Sequence, residues 1–514
     1  MPFDLAAIVL VTLKLCTLVA LLGGAWTLWT VAARMGWYER CGLVLLFAAS
    51  LTLREAAPAS PHDTYMRSEG ALWNDWPGFD RGMGFVAFGQ LVRPWLAEWR
   101  ADELWLFERV AVVGALLPVL VVAWLWVLEA APRVVWAAGA LMALSSPHVR
   151  LSHTDAQQIP ALTLVWIGLC AWALHARSPR WLPALVAGCA LAAAGSARLE
   201  CVALPVVFAV VAWADRGFAG WRHPAGVAAS ALCLGVVSVH TYGLVFVGAW
   251  KPLEYAGQSG EDWTTHSVLT YGLKQLVILD PAYTAPWIAL LTVAGLFGVG
   301  LDRRLRWALG AVAVALCLEM PVWSPAGGEA FALSRYQVAA SPFAVILAAN
   351  GLAALVAMWP ARGVALVGLA ATLLASATRL PVAYAPSTLS AEYTFIRDTL
   401  TTLSPGCTVL YEGWGGDKGL YFPFLIPPLV HMPIQAVDVS QWGGDTAGCV
   451  IYYRGASCVM DNQGGPVCSD FPARHALEPL ATADLPSRQW VYDVYPGDTV
   501  LVGFYRVGAS TDAP

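Results

Sequence analysis

The sequence predicts a mainly α-helical, polytopic membrane protein of about 12 transmembrane helices, followed by a small C-terminal α/β domain outside the membrane. Three observations carry this reading. Of 514 residues, 58% are hydrophobic and only 13% are charged, against about 25% charged in an ordinary soluble domain. The apolar residues come in long blocks, not in alternation, which selects helices over a barrel. The blocks stop near residue 384, and the remaining chain carries short strand-like runs. Mean hydropathy is +0.60. A water-facing shell needs more polar residues than this chain has left, so a set of soluble domains is excluded. Disorder is excluded because disordered chains are apolar-poor and charge-rich. A net charge of −5 offers no basic field for nucleic acid.

Continuous apolar runs lie near 5–33, 104–130, 158–175, 223–249, 283–301, 304–320, 336–358 and 362–380. Shorter runs at about 40–53, 133–146, 181–194 and 200–214 span only with help from their flanks, yet each is bounded by Arg, Pro or Gly. The first run lacks a basic lead-in and a small-residue cleavage site, so a removable signal peptide is not expected. With the N-terminus outside, one set of alternate short loops carries Arg34, Arg40, Arg133, Arg177, Arg180, Arg216, Arg222, Arg303, Arg304, Arg306 and Arg362. The opposite short loops carry only Arg150, Arg198 and Arg335. The positive-inside bias then puts the first set in the cytoplasm and both termini outside.

This gives a transmembrane domain at 1–384, with outer loops at about 54–103, 147–157, 250–282 and 321–335, and an extracytoplasmic α/β domain at 385–514. The second half of the first outer loop reads as an amphipathic interface helix anchored by Trp95 and Trp99. In the tail, AEYTFIRDTLTTL has helical apolar spacing. GCTVLYEG, GCVIYYRG and TVLVGFYRV are strand candidates, rich in β-branched and aromatic residues. Four of the eleven cysteines sit here, Cys407, Cys449, Cys458 and Cys468. An oxidising compartment permits one or two disulfides among them, and three full pairings are open, with Cys458 and Cys468 nearest in sequence. The other seven cysteines lie in or beside apolar runs and read as small buried hydrophobes.

No Walker loop, HExxH or GxSxG is present, and the GMGFVA stretch at 82–87 follows no strand, so it is not a nucleotide fingerprint. The informative polar residues gather on the outer side. His62 and Asp63 follow the second run; His153 and Asp155 lie in the next outer loop; Arg198 and Glu200 sit in GSARLECVALP; Arg335 and Tyr336 open a span. Carboxylates there can serve as a base or hold a metal. Arginine offers a two-pronged fork to phosphate. Lys14, Glu319 and His240 lie near or within spans and are functional candidates by default, although a lone helical His such as His240 is more often a hydrogen-bonded core residue.

The order of these features resembles the GT-C superfamily of integral-membrane glycosyltransferases, which includes protein mannosyltransferases and the aminoarabinose transferases of lipid A. With 40–53 as the first core helix, Asp63 and Asp155 fall in the two outer loops that carry acidic residues in that fold. The seventh core helix is then 223–249, followed by the long loop at 250–282. Arg335-Tyr336 with Pro342 is similar to the start of a late helix in many relatives, and ARLE at 197–200 resembles their Arg-x-Glu segment. The helix at 5–33 is additional, and Asp63 is followed by Thr64 where relatives commonly have an Asp-Glu pair.

The resemblance implies an inverting transfer of a hexosyl or pentosyl group from a polyprenyl-phosphate sugar donor to a hydroxyl on a glycan, lipid or protein acceptor at the outer face. Asp63 is the expected general base, with Asp155 as second catalytic carboxylate. Arg198, Arg335, Tyr336 and Glu200 are expected to bind the lipid phosphate, with His62, His153 and Lys251 as secondary candidates. A divalent cation, Mg2+ or Mn2+, is the one cofactor expected, held by Asp63 and Asp155. Two other classes stay open: a transporter or flippase for a lipid-linked glycan, and a non-catalytic membrane scaffold. High Ala, Val, Trp and Arg with few Lys fits a GC-rich bacterial genome, hence an inner (plasma) membrane.

Overall fold

The computed structural model describes residues 5–58, 82–92, 104–154, 157–197, 200–247, 284–323, 338–358, 362–385, 388–403, 406–411, 435–444, 448–455, 471–486 and 499–510. The chain divides into two compact units, chiefly the helices through Tyr384 and the residues from Ala385 onward.

All twelve apolar runs are helical. They form α1 (Leu5–Ala32), α2 (Trp37–Glu55), α4 (Leu104–Val127), α5 (Pro132–Ala143), α7 (Gln158–Arg177), α8 (Trp181–Gly195), α9 (Leu204–Arg216), α10 (Pro224–Tyr242), α11 (Pro286–Gly295), α12 (Arg303–Trp323), α13 (Ser341–Met358) and α14 (Arg362–Ala377). Among the described residues, three shorter helices belong to the same unit: α3 (Met83–Val92), α6 (Ser146–Ser152) and α15 (Leu380–Tyr384). Among the described residues, six stretches are long and apolar enough to cross a membrane: Leu5–Ala32, Glu108–Val127, Gln158–Arg177, Pro224–Val247, Val338–Ala357 and Val367–Tyr384. The chain is a multi-pass membrane protein.

Helix α7 is buried nearly all round and forms the centre of the unit. Trp166 meets the edge of Trp124 on α4 at 5.2 Å between ring centroids and lies 5.5 Å from Phe343 on α13. Apolar packing does not drive helices together inside a bilayer, so close backbone approach and buried hydrogen bonds do more of that work. The α11–α13 pair uses both. A Cβ on Gly295 would strike the Leu347 carbonyl, and one on Gly351 would strike the Leu291 carbonyl. Beside them, Asn350 donates to the Gly295 carbonyl (2.7 Å) and accepts from the Gly300 N–H (3.0 Å).

Two expectations for the outer segments change. Within 54–103, Met83–Val92 is a buried helix, with Met83 through Gly89 inaccessible, and not an interface helix. Its start is held by two polar contacts: Met83 N–H donates to His240 Nε2 (3.1 Å), and Gly84 N–H to the Ser196 carbonyl (2.8 Å). His240 is thus a hydrogen-bonded core residue. Gly84 leaves room for the end of α8, where a Cβ would overlap the Ala193 carbonyl. Trp95 and Trp99 lie outside the described residues. The 147–157 segment is likewise more ordered than a loop: Ser146–Ser152 forms α6, and all seven of its residues are buried.

The second unit holds α16 (Thr388–Leu400), α17 (Phe471–Arg474) and a five-stranded mixed sheet. The strands are β1 (Thr408–Tyr411), β2 (Gln435–Asp438), β3 (Val450–Arg454), β4 (His475–Pro486) and β5 (Thr499–Ser510). Their order is β2-β1-β3-β5-β4. β1 runs parallel to β2 and β3, while β5 is antiparallel to β3 and β4. The expected helix and three strands appear as α16, β1, β3 and β5. A disulfide joins Cys407 to Cys449, just ahead of the Thr408–Val450 register pair; Cys458 and Cys468 lie outside the described residues. Six of the other seven cysteines are buried, and Cys41 is half-buried. Tyr453 donates to Glu392 on α16 (2.6 Å); burial and that carboxylate raise its hydroxyl well above the usual tyrosine range.

Candidate functional site

The two ends of the helical unit differ in how they treat charge. At one end the loops after α1, α4, α7 and α9 meet. Arg34, Glu39, Trp126, Glu129 and Arg177 line a cavity of about 350 Å³ there. Arg177 grips both oxygens of Asp215 (2.9 and 3.2 Å), and His175 bridges the Arg180 and Gly220 carbonyls. Most arginines at this end face outward.

The other end is built around α2 and α6. Arg54 closes the last turn of α2 and is fully buried. Its Nη1 donates to Ser50 Oγ (2.6 Å) and to the Ser50 carbonyl (3.0 Å); its Nη2 donates to His148 Nδ1 (2.9 Å). Among the described residues, no carboxylate pairs with Arg54. Ser152, one turn after His148, donates to the His148 carbonyl (2.6 Å). Arg150 is also fully buried and donates from Nη1 to the Ala383 carbonyl (3.2 Å), fastening α6 to α15. That tie explains why an arginine stands on the arginine-poor side.

These contacts fix the protons on both imidazoles. A guanidinium only donates, so His148 Nδ1 accepts and its proton sits on Nε2. Burial, and then the Arg54 charge, push this imidazole well below its usual range, so it is neutral. His153 Nδ1 lies 2.6 Å from the Ala57 carbonyl, which only accepts, so Nδ1 carries a proton. Among the described residues neither Nε2 has a partner. The end therefore presents the buried N–H of His148 and the buried Nε2 of His153 beside Arg54, which pairs with no carboxylate among the described residues.

Asp63, Asp155, Arg198, Arg335, Tyr336, His62 and Lys251 lie outside the described residues, as does the Glu200 side chain. Their described neighbours do converge. The His153–Ala57 bond joins the stem that leads to His62 and Asp63 to the stem that leads to Asp155. A small cavity of about 40 Å³ is lined by residues that include Ser145, Thr284 and Ser341; in the sequence, Thr284 follows the segment bearing Lys251, and Ser341 follows the segment bearing Arg335 and Tyr336. The 3-10 turns Glu200–Ala203 and Val338–Ala340 both pack on α12. Of the predicted residues, His153 is the one placed in the cluster by its side chain. Sequence reading missed Arg54 and His148. Their signal was a polar pair spaced by four, Ser50–Arg54 and His148–Ser152, which lies on one helical face.

No protein-family profile and no curated protein matches the sequence. Among solved structures, the chain is similar to ArnT from Cupriavidus metallidurans, in a crystal structure bound to undecaprenyl phosphate. The two are 14% identical, with 81% of this chain and 92% of that chain covered and a TM-score of 0.52. It is also similar to the arabinofuranosyltransferase AftD from Mycobacteria, seen by cryo-EM, at 16% identity and a TM-score of 0.47. There 93% of this chain is covered but 40% of that one, so the chain spans less than half of AftD. The likeness to ArnT is one of fold.

Proposed function

We propose that the chain is a membrane glycosyltransferase of GT-C type that moves a sugar from a polyprenyl-phosphate donor to an acceptor hydroxyl on the outer face. The observation that carries this is the buried Arg54–His148 pair, a cation that pairs with no carboxylate among the described residues, at the end where the stems leading to Asp63 and Asp155 are bonded together. An isolated buried charge is costly, and a phosphate is the counter-ion that such a fold would bring to it. The fold likeness to ArnT, which binds undecaprenyl phosphate, supports the same donor class. The Cys407–Cys449 disulfide supports placing the C-terminal unit in an oxidising, extracytoplasmic compartment, and so supports an inner-membrane enzyme with its site facing outward.

In the proposed reaction Asp63 takes the proton of the acceptor hydroxyl as its oxygen attacks the anomeric carbon. The bond from that carbon to the phosphate oxygen breaks, and the configuration inverts. Arg198 and Arg335, with Tyr336 and Glu200 beside them, meet the charge that develops on the lipid phosphate. Arg54 adds to the field from below. The N–H of His148, open among the described residues, suits an oxygen acceptor such as a hydroxyl or a phosphate.

The described donors at this end, two arginines and two imidazoles, fit an anion, and the carboxylates expected to hold a dication, Asp63 and Asp155, lie outside the described residues. No step is therefore routed through Mg2+ or Mn2+. Chelation tests the point: transfer in EDTA is expected to match transfer in Mg2+. Loss that Mg2+ or Mn2+ restores would instead assign an ion to Asp63 and Asp155.

The deciding experiment incubates the purified full chain with a panel of radiolabelled polyprenyl-phosphate sugars and follows label into acceptor. Asp63→Asn, expressed at the normal level, is expected to lower transfer by about 10²–10⁴-fold. Full activity in that variant sinks the assigned base role, and no transfer from any donor in the panel sinks the enzyme reading.

A further inference from the structure

An apolar groove runs toward the arginine-rich end, away from the end proposed for the chemistry. Helices α9 and α10 stand apart over α7 and α8, leaving a groove of about 690 Å³. Its floor is Trp172, Ala187 and Leu191, and its walls are Phe208, Trp213 and Leu234. The mouth is aromatic: Trp221 lies 4.7 Å from Trp172 and 6.1 Å from Phe218 between ring centroids. Ser230 is the one hydroxyl among the lining residues, and it already accepts from Trp221 Nε1 (3.0 Å). The rest of the lining is almost wholly apolar, so the interior suits a hydrocarbon chain better than a headgroup. Trp213, Val206, Phe218 and Leu234 are exposed along it, so the groove opens sideways toward where lipid lies.

Charge at the mouth selects the lipid. Arg216 follows Trp213 by three residues on α9, and Arg222 follows Trp221. Both are exposed, and among the described residues neither pairs with a carboxylate. The nearby acid, Asp215, is already held by both prongs of Arg177. Arg180, also exposed, precedes Trp181, whose ring lies 6.3 Å from His223. Free arginines at the rim of an apolar slot between helices are the arrangement that holds anionic lipid headgroups.

We infer that this groove is a binding site for one anionic phospholipid, with an acyl chain between α9 and α10 and its phosphate on Arg216 and Arg222. The groove and its arginines stand apart from glycosyl transfer, and only the choice against a polyprenyl-phosphate occupant rests on that reading. A polyprenyl-phosphate donor is not its occupant, because that phosphate is needed at the opposite end.

The test uses the full chain purified in detergent and native mass spectrometry with phosphatidylglycerol, phosphatidylethanolamine and undecaprenyl phosphate as separate probes. One phosphatidylglycerol is expected to be retained per chain in preference to phosphatidylethanolamine. Arg216→Gln with Arg222→Gln should cut that preference by about 30-fold, taking each arginine at about 1 kcal/mol. Ala209→Trp, which fills the groove from α9, should release the lipid while thermal melting shows the helices still folded. Equal retention of the two phospholipids, or phosphatidylglycerol held by Ala209→Trp as firmly as by the parent, overturns the site. So does displacement of phosphatidylglycerol by undecaprenyl phosphate.

Discussion

The helical unit uses arginine in opposite ways at its two ends. At one end Arg34, Arg180, Arg216 and Arg222 face out, and Arg177 is matched to Asp215. At the other, Arg54 and Arg150 are fully buried, and Arg54 leans on a serine and a neutral histidine. An exposed arginine is cheap and serves orientation. A buried one without an acid lowers stability and survives where something else needs its charge. The difference teaches that arginine count separates the two sides of this protein, while the buried Arg54 marks the end proposed for its chemistry.

The strongest way to break that contrast is to remove the buried charge together with its partner. Arg54→Met with His148→Leu should lower transfer by about 10²-fold or more, on the scale of losing a preorganised donor. The same double variant is expected to melt at or above the parent temperature, because an apolar replacement ends the desolvation cost. A large fall in melting temperature would make Arg54 an ordinary structural residue. A smaller effect comes from pH. His148 is held neutral, so between its unfolded value near pH 6.5 and its lower folded value the unfolded chain binds the extra proton. Stability should be complete above about pH 6.5 and fall as pH drops through the folded value. A melting series from acid to neutral pH checks this, and His148→Gln should flatten it. The smallest effect belongs to the other end: Arg177→Gln should cost about 1 kcal/mol and leave transfer unchanged. A transfer defect there would erase the division between the ends.

How far the sequence disclosed this depended on pattern length. Runs such as 158–175 were legible because a block of that size has one stable form in a bilayer. Strands β1, β3 and β5 were legible from Val, Ile and Tyr. β4 was not: Pro479, Pro486 and its acidic residues read against a strand, and it is tolerated because it lies at the sheet edge, paired to β5 alone. β2 has four residues, too few for a period. Helix α3 was missed because ten apolar residues are too short to announce a span, and its burial depends on α1 and α8. Arg54 escaped notice for a related reason. At the end of an apolar run, a charge reads as a flank, and only the fold brings α6 across it, 94 residues away in sequence.

One contact reaches beyond energetics, to what substitution at this end would tolerate. His153 grips residue 57 by its backbone carbonyl, so the identity of side chain 57 is irrelevant to the bond itself. Ala57, however, is packed beside Val149, Leu380 and Ala383. A library saturating both positions should therefore pass through two unlike filters. Position 57 would sort variants by size, accepting Gly or Ser and rejecting Leu. Position 153 would sort them by chemistry, accepting only side chains that offer a hydrogen-bond donor at the same reach.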